Sequence, residues 1–156
     1  MADDARADGP ESTAAGDARA EDLAGDESDG VPVVALDASA LMAPVEAGLR
    51  LFEELDRLLG GYETVVPAPV VAELADLQSG NGAEATAASV GADLAERAET
   101  VETDESYADD ALVALAAAGR VDAVVTNDRP LANRVLAADA PVIGLRGRNT
   151  LAITEP

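Results

Sequence analysis

Val31-Pro-Val-Val-Ala-Leu-Asp37-Ala-Ser-Ala-Leu-Met42 decides how the rest of this chain is read. An apolar, β-branched run stops at an acid, and the chain continues past it in Ala, Ser and Leu. This is the composition of a parallel strand, buried on both faces, that delivers a carboxylate at its exit. The same grammar recurs downstream. Thr64-Val-Val-Pro-Ala-Pro-Val-Val-Ala72 runs into Glu73, and Val121-Asp-Ala-Val-Val-Thr-Asn127 runs into Asp128. A fourth acid, Asp110, stands at the opening of the Ala/Leu segment that begins at Tyr107.

Working outward from the first strand, Val33 to Leu36, the spacing predicts a helix near Val45 to Leu59. Its Val45, Leu49, Phe52, Leu55 and Leu59 share one face, and Gly60-Gly61 stops it. A second strand is expected at about Thr64 to Val66, with Pro69 as the first residue of the helix carrying Glu73. Ser79-Gly-Asn-Gly82 breaks the chain before an Ala-rich helix at about Ala83 to Ala98. A weak third strand, Thr100 to Thr103, leads to a helix near Tyr107 to Ala118 that Gly119 ends. A fourth strand at Ala123 to Val125, a helix at about Pro130 to Ala138 and a fifth strand at Val142 to Leu145 complete the pattern. Repeated βα units imply an α/β fold of three layers, a five-stranded parallel sheet flanked by helices and joined by right-handed crossovers. Sites in such sheets lie beyond the carboxyl ends of the strands, where the four acids project.

Composition limits the chemistry. The chain has 31 acids against 10 cations, a net charge of −21, with no His and no Cys, and every cation is Arg. A Ser-His triad, a thiolate nucleophile, a Schiff-base lysine and an N/S-ligated zinc are therefore excluded. Hydrolytic chemistry is left with a hard, oxygen-ligated cation, Mg²⁺ or Mn²⁺. So acidic a chain repels itself in dilute buffer and suits a salt-rich cytoplasm, that of a halophilic archaeon, where cations screen it. Most individual acids then read as solvated surface. The absence of Cys fits a reducing, cytoplasmic location, and no run has the length of a membrane span or the build of a signal peptide. Residues 1 to 30 hold ten acids against Arg6 and Arg19, and are expected to be a disordered acidic tail. Residues 31 to 156 amount to one domain.

Four motifs in order carry a family resemblance: Leu36-Asp-Ala-Ser-Ala-Leu-Met42, Pro69-Val-Val-Ala-Glu-Leu74, Ala108-Asp-Asp-Ala-Leu-Val-Ala-Leu-Ala116 and Thr126-Asn-Asp-Arg-Pro-Leu131. Over roughly residues 31 to 153 the chain resembles the PIN-domain ribonucleases. The wording YADDALVALA, VVTNDRPLANRV and PVIGLRGRN is similar to the archaeal relatives of the eukaryotic small-subunit rRNA-processing endonuclease, and more distantly to the VapC toxins. The resemblance implies the strand order 3-2-1-4-5. It also implies that Asp37, Glu73, Asp110 and Asp128 are the catalytic, metal-binding quartet. In that family the quartet holds Mg²⁺ or Mn²⁺ and activates water for attack on a phosphodiester, leaving 5′-phosphate and 3′-hydroxyl ends. The implied partner is RNA, an rRNA precursor. Homodimerisation is common in the family, and a VapC-like member would have an antitoxin and act on tRNA or mRNA. The alternative from another class is a catalytically silent PIN module that binds RNA in ribosome assembly. An Asp-nucleophile phosphatase of the haloacid-dehalogenase type fits less well, because Ser39 stands where that site has its second Asp.

Lesser candidates surround the quartet. Ser39 and Thr126 place hydroxyls where they can bind a carboxylate or a metal-held water, or simply cap a turn. Asn127 is read as shaping the turn before Asp128, and Asp109 as a structural residue pointing elsewhere on its helix. Tyr107 is a base-stacking candidate, against packing beside a helix start. Arg129, Arg134, Arg146 and Arg148 crowd into the last part of the chain and are the expected RNA-phosphate contacts, against a role in neutralising nearby acids.

Overall fold

Six strands and six helices make up residues 30–156, which the computed structural model describes. The expected acidic tail, residues 1 to 30, lies outside the described residues except for Gly30. Six strands form one sheet: β1 (Val33–Leu36), β2 (Glu63–Pro67), β3 (Glu99–Val101), β4 (Ala123–Val125), β5 (Val142–Arg146) and β6 (Thr150–Thr154). Their order is β3-β2-β1-β4-β5-β6, parallel throughout except for the antiparallel β5–β6 pair. The helices are α1 (Ala38–Glu46), α2 (Leu51–Leu59), α3 (Ala68–Gln78), α4 (Gly82–Ala95), α5 (Ala108–Ala117) and α6 (Arg129–Ala137). Val34, Ala35 and Leu36 of β1, and all three residues of β4, are wholly buried. Strands with no solvated face need cover on both sides, and the unbroken apolar runs in the sequence reflect that.

The α/β architecture and the 3-2-1-4-5 order stand, extended by one strand. β6 is additional to the five strands expected from the sequence. Its Thr-Leu-Ala-Ile-Thr alternates, with Leu151 and Ile153 buried, and Gly147 at φ +73° turns the chain into it. Its outer edge is held by side chains of α2. Glu54 Oε1 accepts from the Leu151 N–H at 3.0 Å, and the Arg57 guanidinium donates to the Leu151 carbonyl at 2.8 Å. These bonds satisfy backbone groups of an edge strand that would otherwise invite another strand.

The single helix expected over Val45 to Leu59 is two. The chain enters α1 directly after β1, with Asp37 as its N-cap, and carries Pro44 inside it. Gly48, at φ +69°, separates α1 from α2. Leu49, Phe52, Leu55 and Leu59 are buried as expected, but Val45 is 43% exposed because it belongs to the end of the other helix. The remaining boundaries shift by only a few residues.

The Ala-rich character of α4 has a packing cause. Ala87, Ala88, Gly91 and Ala95 are its buried face, and α4 packs against α1 and α3. A Cβ on Gly91 would lie 3.2 Å from the Leu41 carbonyl oxygen, so small residues set the distance between these helices. Among the described residues no helix is long and apolar enough to cross a membrane.

Candidate active site

The residue after β1 is Asp37, and it is only 4% exposed. Its carboxylate oxygens are both engaged. Oδ1 accepts from the Ala38 N–H at 2.8 Å, and Oδ2 accepts from the hydroxyls of Ser39 at 2.8 Å and Thr126 at 2.6 Å. Thr126, 2% exposed, is the residue after β4, the strand beside β1. Burying a carboxylate is costly unless hydrogen bonds to its charge offset the lost water, and three such bonds do so here.

The hydroxyls are themselves oriented. Ser39 Oγ accepts from the Asn127 N–H at 2.9 Å, and Thr126 Oγ1 accepts from the Asp128 N–H at 3.0 Å. A hydroxyl has one proton to give, and a carboxylate can only accept, so both protons go to Asp37 Oδ2. The 3.2 Å contact between the two hydroxyls is then proximity within one network.

The turn after β4 is fixed from the other side as well. Asn127 Oδ1 accepts from the Leu145 N–H at 2.9 Å, prolonging the β4–β5 ladder where the strands part. Gly144 lies under this turn, where a Cβ would come within 2.8 Å of the Thr126 carbonyl oxygen. Asp128 caps α6, its Oδ1 accepting from the Leu131 N–H at 3.2 Å.

Two further acids join Asp37 and Asp128. The Glu73 carboxyl, on α3, is pushed above the usual carboxylate range by desolvation and then by the charges of Asp37, Asp109 and Asp128. The Asp109 carboxyl, in the first turn of α5, is pushed up by burial and then by Asp37 and Asp128; Arg134 partly opposes this. The charges of Asp37 and Asp128 act on both Glu73 and Asp109, which places the four acids in one electrostatic cluster.

Asp110, expected as a member of the quartet, has an arginine partner. Its Oδ1 accepts from the Arg134 guanidinium at 2.9 Å, and both side chains are about half exposed. Asp109, read from sequence as pointing elsewhere, is the acid of this pair whose carboxyl the charges of Asp37 and Asp128 push up. Arg134 is thereby tied to Asp110. Arg129 and Arg146 line a shallow groove with Thr126, Asn127, Asp128 and Gly144, while Arg148 is exposed in the turn between β5 and β6. Tyr107, immediately before α5, is 74% exposed.

The donor set is all oxygen, which fits a hard cation. Among the described residues no three carboxylates are gathered tightly enough to form a finished metal cage. Like charges without a counter-charge hold apart, and Glu73 and Asp109 would have to close on an ion held by Asp37 and Asp128.

An α/β sheet of this order, with an acidic cluster off the carboxyl ends of its central strands, defines the class of the domain. More specifically, residues 34–148 match the family model described as PIN like domain, and the chain belongs to that family. Among solved structures, it is similar to the PIN domain endonuclease Utp24, at 23% identity and a TM-score of 0.65, covering 80% of this chain and 92% of that one. Human GEN1 in complex with Holliday junction DNA matches at 14% identity and a TM-score of 0.45, over 80% of this chain and 38% of that one. A likeness that slight carries no argument. Comparison with curated proteins gives no match.

Proposed function

We propose that this PIN-like domain is a Mg²⁺- or Mn²⁺-dependent endoribonuclease that hydrolyses RNA phosphodiester bonds and acts in rRNA processing. The observation that carries the reading is the buried Asp37 carboxylate, locked by Ser39, Thr126 and the Ala38 N–H among three other acids. Folding alone gains nothing from packing four carboxylates together, and a cation binding there would relieve the repulsion. The endonuclease Utp24 shares the fold, which supports nuclease chemistry. The RNA target rests on the YADDALVALA, VVTNDRPLANRV and PVIGLRGRN wording.

Asp37 is the ligand whose direction is set in advance, because its rotation would break bonds to two hydroxyls. Asp128 combines its role as cap of α6 with a second carboxylate oxygen that has no hydrogen-bond partner among the described residues. Glu73 and Asp109 supply the remaining negative charge. When bound, Mg²⁺ or Mn²⁺ neutralises the cluster and supplies the Lewis acidity that makes water a nucleophile toward phosphorus. Until that charge is neutralised, the four acids repel a phosphate brought to the cluster itself.

The test is to incubate the full chain with precursor rRNA and Mn²⁺ in high KCl and to map the ends produced. Wild type should cut at defined positions, leaving 5′-phosphates and 3′-hydroxyls, and Asp37→Asn should not cut although it melts cooperatively. An Asp37→Asn protein that cuts at the wild-type rate would refute the site.

A further inference from the structure

We propose that the groove between the β4–α6 turn and β5 is a phosphate-binding subsite, which takes the RNA strand as it leaves the acidic cluster. The inference rests on the nuclease reading for the identity of the strand. Its own grounds are separate.

The groove is continuous with the site. Thr126 and Asp128 line it, and the same Thr126 hydroxyl bonds to Asp37. A phosphate held there would therefore lie beside the cluster.

Arg129 and Arg146 both line the groove, and neither has an acidic partner among the described residues. Arg134 is held by Asp110, Arg57 by Glu54, and Arg97 stacks over the Phe52 ring at 3.9 Å. Arg50, Arg120 and Arg148 also lack an acidic partner among the described residues, so what sets Arg129 and Arg146 apart is that they line one groove. Arg129 is also the first residue of α6. The helix dipole disfavours a cation at that end, so the position of Arg129 is not explained by helix stability.

An anion in the groove would meet two guanidinium forks suited to phosphate oxygens. Gly144 lines the groove because the Thr126 carbonyl oxygen takes the space a Cβ would need. The lining carries no aromatic ring to stack on a base. The subsite should therefore read phosphate and not sequence.

The experiment is binding of a short fluorescent single-stranded RNA to the full chain, followed by anisotropy in EDTA, across KCl down to the lowest concentration at which melts show the protein folded. Arg129→Gln and Arg146→Gln should each weaken binding about tenfold at that lowest salt. Each should also lower the slope of log affinity against log salt by about 0.7. Arg120→Gln removes the same charge on the amino side of β4 and should leave affinity and slope unchanged.

Three results would overturn the subsite: unchanged affinity and slope in both groove variants, an equal loss in Arg120→Gln, or no measurable binding by the unmodified chain. Cleavage with Mn²⁺ is scored separately. Groove-dependent binding without any cleavage would remove the nuclease reading and keep the subsite. Normal cleavage with groove variants that bind as wild type would do the opposite.

Discussion

Thr126→Val removes one hydroxyl and nearly preserves volume, so it isolates the bond that holds Asp37. Three contacts change. The 2.6 Å bond to Asp37 Oδ2 is lost, the Asp128 N–H loses its acceptor, and the Ser39 hydroxyl loses a neighbour at 3.2 Å. A hydrogen bond to a charged group contributes about 1.5–3 kcal/mol. Asp128 is only partly buried, so water can replace its lost acceptor at little cost, and Asp37 Oδ2 keeps the Ser39 bond. The expected loss is therefore about 2 kcal/mol, or roughly 8 °C in Tm for a domain of this size. Thermal melts followed by circular dichroism in high KCl and EDTA measure it. In an Asp37→Asn background the same change removes only a neutral bond, about 0.5–1.5 kcal/mol, so the double-mutant cycle should show coupling of about 1 kcal/mol. Cleavage provides a second readout: Thr126→Ser keeps the hydroxyl and should cut, whereas Thr126→Val should cut poorly. A Thr126→Val protein that melts within about 2 °C of wild type, with no coupling to Asp37→Asn, would show that the hydroxyl does not hold the carboxylate.

Asp109→Asn should raise the Tm of the metal-free protein, by relieving repulsion, and abolish Mn²⁺-dependent cleavage. Asp110→Asn breaks an exposed pair worth at most about 1 kcal/mol and should leave cleavage in place, so the opposite pattern in these assays would return Asp110 to the metal site. Gly144→Ala places a Cβ 2.8 Å from the Thr126 carbonyl oxygen and should cost about 1–3 kcal/mol by urea unfolding, with loss of cleavage; an unchanged midpoint would mean that β5 yields. Burial, aided by Asp56, pushes the Tyr62 phenol up to about 12, whereas the unfolded chain ionises near 10, so this contribution to stability is complete below pH 10 and lost as pH rises toward 12. Spectrophotometric titration of Tyr107→Phe, whose only phenol is Tyr62, should find the transition near the upper value, and a midpoint near the lower one would refute it.

Why some features could be read from the sequence and others could not comes down to which pairings are local. β1 and β4 lie buried on both faces, so their apolar runs betray them directly. The start of α1 was missed for a local reason: Asp37 is both its N-cap and the leading ligand candidate, and the small residues and Pro44 that follow look like a loop. Asp109 and Asp110 are neighbours about 100° apart on one helix; Asp109 borders the buried stripe of Ala111, Leu112, Leu115 and Ala116, and Asp110 lies opposite it. Choosing between them requires knowing that α6 brings Arg134 to one of them, a contact across 24 positions of sequence. The Thr126–Asp37 bond spans 89 positions, yet it follows from the strand order. Once β4 lies beside β1 with Val125 paired to Leu36, the next residue on each strand, Thr126 and Asp37, must exit at the same level. A parallel register thus determines which groups meet at a strand end, while helix-borne acids wait on how each helix is rotated in its packing. For that reason Asp37 and Thr126 are the firmest part of the site, and Asp109 against Asp110 is the comparison with most to decide.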